Sequence, residues 1–389
     1  MRILLVTDWP PLEGGTERYV ADVQELLQAA GDGVRLLTSS AGSAGQGRAE
    51  FIAHGSRTKR GRAITQVANP TAAWVARRAV TSFQPDVAHV NMFLSFLSPV
   101  VLDGLRGVPT VVTLHDYRAI CPIGWNQLPD GSPCPHEPGA VCRREGCIRR
   151  VRRVREAARF ALIRRSLSRA ARILTISTWM ESVLDGVGVR SEHLALPVPP
   201  SALVAKQRAP HPLFVYGGRL DPEKGVDLLI RAFAALRRSH PTSELRISGD
   251  GADAGRLKRL AGDLGCSVTF IPGMTGPDWW RTMAGAWCAV IPSTWEEPLG
   301  LVAIESILRG VPVIAADSGG LSETVSQGST GLLYPRGDVA ALTAQLEAVA
   351  SRSALRAPLP SHLIQQLAAR HDPYKHVARL RQVYAEVAA

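Results

Sequence analysis

Two cations stand five residues apart in Gly218-Arg219-Leu220-Asp221-Pro222-Glu223-Lys224-Gly225. A forked guanidinium and a compact ammonium on either side of one turn can clamp a diphosphate between them. The same two side chains on a plain surface loop would only be solvated. Further along, Glu297 and Glu305 bracket the apolar block LGLVAI, with Gly300 at its start. Backbone N–H groups at Gly300 and Leu301 would open a helix toward a phosphate, and Glu305, one to two turns in, could accept both hydroxyls of a ribose. The apolar block between the two glutamates requires at least one of them to face inward. Gly14-Gly15 precede Thr16 and an amphipathic run, so a helix start there could receive an anion, or the pair could serve only a tight turn. His115 and Asp116 end the run TVVTLH, where an imidazole can hydrogen-bond a ligand or be satisfied by nearby backbone. Gly273-Met274, Ser248-Gly249-Asp250-Gly251 and Asp317-Ser318-Gly319-Gly320 are further glycine turns after apolar runs.

Positioning such residues takes rigid elements. Short β-branched runs predict strands at 3–7, 34–38, 86–90, 110–115 and 172–177, then at 213–217, 245–248, 268–271, 288–292, 311–315 and 331–334. Several are apolar on consecutive residues, as in ILLV, TVVTL and VPVIAA, which is expected of parallel strands covered on both faces. Helical stretches alternate with them, the order of an α/β chain. The segment LALPVPPSALVAKQRAPHP holds five prolines and reads as a linker. The expected organisation is an amino-terminal Rossmann-like domain over 1–195, a linker over 196–210 and a carboxy-terminal Rossmann-like domain over 211–370. A last helix, within 371–389, should pack back on the first domain. Two doubly wound parallel-sheet domains in tandem predict an interdomain cleft lined by strand carboxyl ends, and every motif above follows a strand.

Composition agrees with a chain of this kind. With 389 residues, 46% hydrophobic and 20% charged, it can bury large cores and is neither fibrous nor disordered. No run approaches the ~18 apolar residues of a membrane span. The start MRILLVTDWPP has too short an apolar run for a secretory leader, which places the protein in the cytoplasm as an expectation. The formal net charge of +11 is concentrated: twelve arginines face two glutamates between Arg143 and Arg172, a local net of +10. One anionic partner fits that patch better than a nucleic-acid coat. Within Arg149–Ala171, Val151, Val154, Ala158, Ala161, Leu162 and Leu167 fall near one stripe. A basic amphipathic helix of that kind could lie on an anionic membrane surface or face a phosphorylated acceptor, or be a solvated helix.

Taken together, GGTE at 14–17, GGRLDPEKG at 217–225, SGDG at 248–251, PSTWEEPLGLVAIE at 292–305, DSGGLSE at 317–323 and GLLY at 331–334 resemble the retaining family-4 glycosyltransferases. The resemblance is dense from about 213 to 340 and thinner at the amino terminus. It implies the GT-B fold and transfer of a sugar from a nucleotide-diphosphate donor, of UDP or GDP type, to an acceptor hydroxyl, with no metal. By the same resemblance Arg219 and Lys224 hold the donor diphosphate, and Glu297 and Glu305 form the E-x7-E pair, near the sugar and on the ribose. Gly218, Gly300 and Leu301 belong to the same donor site, Gly273-Met274 meet the nucleobase, Gly14 and Gly15 lie over the phosphates, and His115 stands beside the donor sugar. No nucleophilic carboxylate is marked, so a front-face displacement is implied. The acceptor could be a saccharide, a lipid-linked saccharide or a small molecule. A nucleotide-sugar 2-epimerase of the same architecture and a non-catalytic nucleotide-sugar-binding protein are the alternatives.

Cys121, Cys134, Cys142 and Cys147 crowd into a Gly- and Pro-rich insertion after His115-Asp116. Their spacings are not those of a common zinc ribbon, and a structural zinc, with His136 as a further ligand, a labile disulfide and free thiols all stay open.

Overall fold

The computed structural model describes residues 1–8, 15–41, 49–149, 152–198, 209–273, 277–352, 355 and 359–389. Two units divide the chain: Met1–Pro197 together with Pro373–Ala389, and Val198–Asp372. Each is a parallel sheet with helical crossovers.

In the first unit seven strands run in the order β3-β2-β1-β4-β5-β6-β7, all pairs parallel. They are β1 (Arg2–Val6), β2 (Gly33–Ser39), β3 (Phe51–Ala53), β4 (Val87–Val90), β5 (Thr110–Leu114), β6 (Arg172–Thr175) and β7 (Glu192–His193). The outermost strands β3 and β7 were not expected from the sequence. At three and two residues they carry too little alternation to register, and they exist because a neighbouring strand offers them an edge. The helix Pro373–Ala388 lies against the helix Gly15–Ala29 and against β4 and β5, and buries Val377, Leu380, Val383 and Tyr384 at helical spacing.

The second unit has six parallel strands in the order β10-β9-β8-β11-β12-β13. These are β8 (Leu213–Gly217), β9 (Glu244–Ser248), β10 (Val268–Ile271), β11 (Cys288–Ile291), β12 (Val313–Asp317) and β13 (Gly331–Pro335). β12 begins two residues later than the apolar run suggested, because Pro312 cannot donate to the ladder and Val313 is the first residue paired with β13. Alternation along the central strands splits them between two cores. Phe214, Tyr216, Cys288, Val290, Ile314 and Ala316 face one side, and Leu213, Val215, Ala289, Ile291, Val313 and Ala315 face the other. The first side is closed by the helix Val226–Ser239, which buries Val226, Leu229, Ile230, Phe233 and Leu236 on one stripe. Burying each such side chain contributes ~1.5–3 kcal/mol. Truncating Phe233 to Ala would cost ~3–5 kcal/mol.

Candidate active site

The loops that leave the carboxyl ends of β8, β11 and β12 meet in the second unit. Lys224 sits in a short 3-10 turn, Pro222–Lys224, that proline starts and left-handed Gly225 ends. Its Nζ lies 2.7 Å from Glu297 Oε1 and 4.9 Å from the centroid of the Trp295 ring. The second carboxylate oxygen of Glu297 accepts from Trp295 Nε1. Glu297 is therefore a buried anion shared by an ammonium and an indole N–H, the pairing that makes a buried charge tolerable.

The backbone of Glu297 is pinned just as firmly. Its carbonyl accepts from Gly320 N at 2.7 Å, and its N–H reaches Ser318 Oγ at 3.4 Å. Gly319 adopts φ 55°, ψ −133°, a conformation open to glycine, and a Cβ there would lie 2.3 Å from Glu297 O. Trp295 and Ser318 thus shape the position of Glu297 although only the glutamate and the glycines stood out in the sequence. Beside it, Glu296 Oε1 pairs with Arg336 Nη1 at 2.6 Å, a contact between the turn after β13 and the loop after β11 that no local motif announces.

Gly300, at φ 82°, caps the helix Leu301–Leu308, and Glu305 lies half-buried one turn inside it. Arg219 is mostly exposed and pairs with Asp221 and with Glu223 Oε1, the latter at 3.2 Å. Its carbonyl accepts from Tyr216 Oη at 2.7 Å. Burial, and the negative charge of Glu297 after it, hold that phenol protonated far above the usual tyrosine range. Gly218 follows β8, and its carbonyl presses against Gly249, where a Cβ would come within 1.9 Å. Gly273 donates its N–H to Asp250 Oδ2 at 2.9 Å, so the loops after β9 and β10 are tied together. Met274 and Gly14 lie outside the described residues. Gly15 is the first residue of its helix.

In the first unit His115 immediately follows β5 and is buried. Its Nε2 lies 3.1 Å from Asn91 Oδ1, and its ring packs on Tyr19 with centroids 5.2 Å apart. An amide oxygen only accepts, so Nε2 carries the proton and Nδ1 holds the lone pair. That Nδ1 is buried with no hydrogen-bond partner among the described residues. Burial pushes the imidazole down to about 3, with the field of His376 adding to it and that of Asp116 opposing it. His115 is consequently a neutral acceptor across the physiological range. Asp116 is held below its usual range: burial opposes this, and the charge and hydrogen bonds of Arg118, 2.6 Å away, prevail. Close by, buried Asp8 takes three backbone N–H bonds, from Ser95, Phe96 and Leu97, at 2.6 to 2.8 Å. Burial nevertheless raises its pKa. Asp8 and Asn91 had no visible signal in the sequence, since each is a single polar residue closing an apolar run.

The arginine-rich segment is corrected by the structure. Its helix, Arg153–Leu167, turns Phe160, Ile163 and Leu167 inward, together with Glu156 and Arg159. The stripe expected to be its apolar face is split: Val154 is 81% exposed, Ala158 and Ala161 are exposed, Leu162 is half-buried and Leu167 turns inward, while Val151 lies outside the described residues. Phe160 and Ile163 set the rotation because they bury more area than the alanines opposite. A cavity of about 570 Å³ in this unit is lined by Ile120, Leu167 and Ile173 and flanked by Arg164, Arg172 and Arg190. The four clustered cysteines carry free thiols and line one small cavity with His136 and Glu145. Burial first, then the neighbouring sulfurs, pushes the Cys147 thiol up to about 11. Among the described residues no three His, Cys, Asp or Glu side chains are placed to hold a metal ion.

Comparison with known proteins places this geometry. Residues 14–200 match the family described as Glycosyl transferase 4-like domain, and residues 204–366 the family described as Glycosyl transferases group 1. The chain belongs to the family-4 glycosyltransferases. Similar proteins include a glycogen synthase of Mycobacterium tuberculosis, 27% identical over 90% of this chain and 86% of the relative. A GDP-mannose-dependent alpha-(1-6)-phosphatidylinositol monomannoside mannosyltransferase of Mycolicibacterium smegmatis is 29% identical over 88% and 87%. Among solved structures, sucrose-phosphate synthase from Thermosynechococcus elongatus superposes with a TM-score of 0.75 at 20% identity, covering 99% of this chain and 98% of that one. Anabaena HepE in complex with UDP-glucose gives 0.73 at 19%, covering 99% and 100%. These structures fix the fold of the glycosyltransferase as GT-B, with two Rossmann-like parallel-sheet domains.

Proposed function

We propose that this glycosyltransferase moves a hexosyl group, with retention, from a nucleoside diphosphate sugar to an acceptor hydroxyl. The observation that carries the reading is the Lys224–Glu297 pair on the loops after β8 and β11. As the anomeric bond breaks, charge collects on the leaving diphosphate, and catalysis is served by positive groups already in place. Lys224 and Arg219 are those groups in this reading, and the N–H groups opening the helix at Gly300 and Leu301 add to them. They do this work without a metal. Glu297 then binds a hydroxyl of the donor sugar, and Glu305 takes the ribose hydroxyls. Gly218 and Gly273-Met274 border the nucleotide, and Gly14 and Gly15 lie over the phosphates. His115, neutral and with Nδ1 unpartnered among the described residues, accepts a hydrogen bond from a sugar hydroxyl in this reading and is not the general acid. With no carboxylate assigned as nucleophile, the acceptor attacks on the face from which the diphosphate leaves, and a phosphate oxygen takes its proton.

Relatives named for GDP-mannose and for D-inositol 3-phosphate support a sugar nucleotide donor and a polyol or lipid-linked acceptor. The exposed arginines of Arg153–Leu167 suit an anionic acceptor or membrane surface, since charge near such a surface adds ~1 kcal/mol per residue. The test is a panel containing UDP-glucose and GDP-mannose, scored by released nucleoside diphosphate and by the anomeric configuration of the product. A donor consumed with inversion, or isomerised without transfer, would contradict the reading.

A further inference from the structure

The helix Pro373–Ala388 brings a histidine and a tyrosine back into the first unit, and both end beside the histidines of its sheet. Tyr384 Oη lies 2.6 Å from His89 Nδ1, whose other nitrogen is 2.7 Å from Thr113 Oγ1. His376 Nδ1 lies 2.8 Å from Ala195 O and its Nε2 lies 3.1 Å from Tyr19 Oη. A carbonyl only accepts, so Nδ1 of His376 bears the proton, and Nε2 accepts from the tyrosine hydroxyl. His376 and Tyr19 also meet edge to face, with centroids 5.4 Å apart. Tyr19 is the residue whose ring lies on His115.

We infer that His376 is a positioning residue for His115, acting through Tyr19. The imidazole of His115 is held at one edge by Asn91 and across its ring by Tyr19. Tyr19 is itself buried, and losing the acceptor for its hydroxyl would leave an unsatisfied donor in an apolar setting. Without that bond nothing would anchor the ring at its hydroxyl end, and His115 would lose the wall that fixes its orientation. The inference rests on the proposed role of His115.

Two amides separate the bonds of His376. In His376→Gln the side-chain oxygen falls near the position of Nε2 and keeps the Tyr19 bond, while the Ala195 bond is lost. In His376→Asn the amide nitrogen falls near Nδ1, keeping Ala195 and losing Tyr19. Turnover of UDP-glucose or GDP-mannose, whichever the wild-type protein consumes, is followed for both variants and for Tyr19→Phe. The expected result is a kcat about tenfold lower in His376→Asn and in Tyr19→Phe, with donor KM unchanged, and near wild-type kcat in His376→Gln. The double variant Tyr19→Phe/His376→Asn should be no slower than either single one. Equal losses in the Gln and Asn variants, or no loss in Tyr19→Phe, would overturn the inference. His115→Ala is run alongside: if it keeps full kcat, the role given to His115 fails, and the inference falls with it for that separate reason. A purely structural His376 would lower the melting temperature of both amide variants and leave the kcat of folded protein alone.

Discussion

Lys224 Nζ and Glu297 Oε1 stand 2.7 Å apart, although one side chain hangs from the loop after β8 and the other from the loop after β11. Each satisfies the other before any ligand arrives. In the proposed reading a diphosphate drawing on Lys224 would loosen its hold on Glu297 and leave the carboxylate to a sugar hydroxyl.

Such an exchange would make the two side chains one functional unit. Lys224→Ala and Glu297→Ala should each lower kcat/KM by about 10²-fold, the usual effect of deleting a preorganised transition-state partner. The double variant should fall well short of the product of the two. A steady-state double-mutant cycle measures this, and strictly multiplicative losses would show two independent sites.

Glu305 lies in the first turns of the helix capped by Gly300. Glu305→Ala should weaken UDP or GDP affinity about tenfold or more, as expected for lost hydrogen bonds to a charged group. Calorimetry with the free nucleotide reads this without any acceptor, and unchanged affinity would remove Glu305 from the ribose.

Burial, with neighbouring histidines, pushes both His89 and His115 down to about 3, against 6.5 for an exposed histidine. The unfolded chain therefore takes up protons on these residues at a pH where the folded one does not. Their contribution to stability is complete above pH 6.5 and is lost as pH falls from 6.5 toward 3, with a slope of about 1.4 kcal/mol per pH unit for each histidine. Urea unfolding at pH 7, 6 and 5 should show this decline, and His89→Gln should make it shallower. A flat profile would mean that neither ring is buried neutral.

Arg159 is 5% exposed and faces Glu156 at 3.5 Å, while Glu156 also receives Arg155. Removing the carboxylate strands a buried guanidinium, whose pKa burial already depresses. Glu156→Ala should therefore cost ~3–5 kcal/mol of unfolding free energy, and Glu156→Leu/Arg159→Met should recover most of it. Denaturant midpoints at equal m-value decide the matter.

Both sheets were legible in the sequence because their central strands are unbroken β-branched runs, which only strands covered on two faces require. The edge strands β3 and β7 were not, since neither has enough residues to show a period. In the site, glycines and charges at fixed spacing after apolar runs marked Arg219, Lys224, Glu297 and Glu305. The partners that fix the polar residues were hidden. Trp295 and Ser318 are unremarkable residue types, Arg336, which pairs with Glu296, follows another strand, and Tyr19 and His376, beside His115, are 357 positions apart. Pairing at such a distance follows from the chain's return to its first unit, which no local pattern encodes. The arginine helix failed for a different reason: counting apolar residues ignored their size, and Phe160 and Ile163 outweighed Val154, Ala158 and Ala161.

Glu297 owes its place to the Ser318 hydroxyl, the Gly320 N–H and the room left at Gly319. A side chain at Gly319 would drive into the Glu297 carbonyl. The aim of the carboxylate is thus set by a stretch of chain that carries no charge of its own, and a change there would misplace the acid while leaving the glutamate intact.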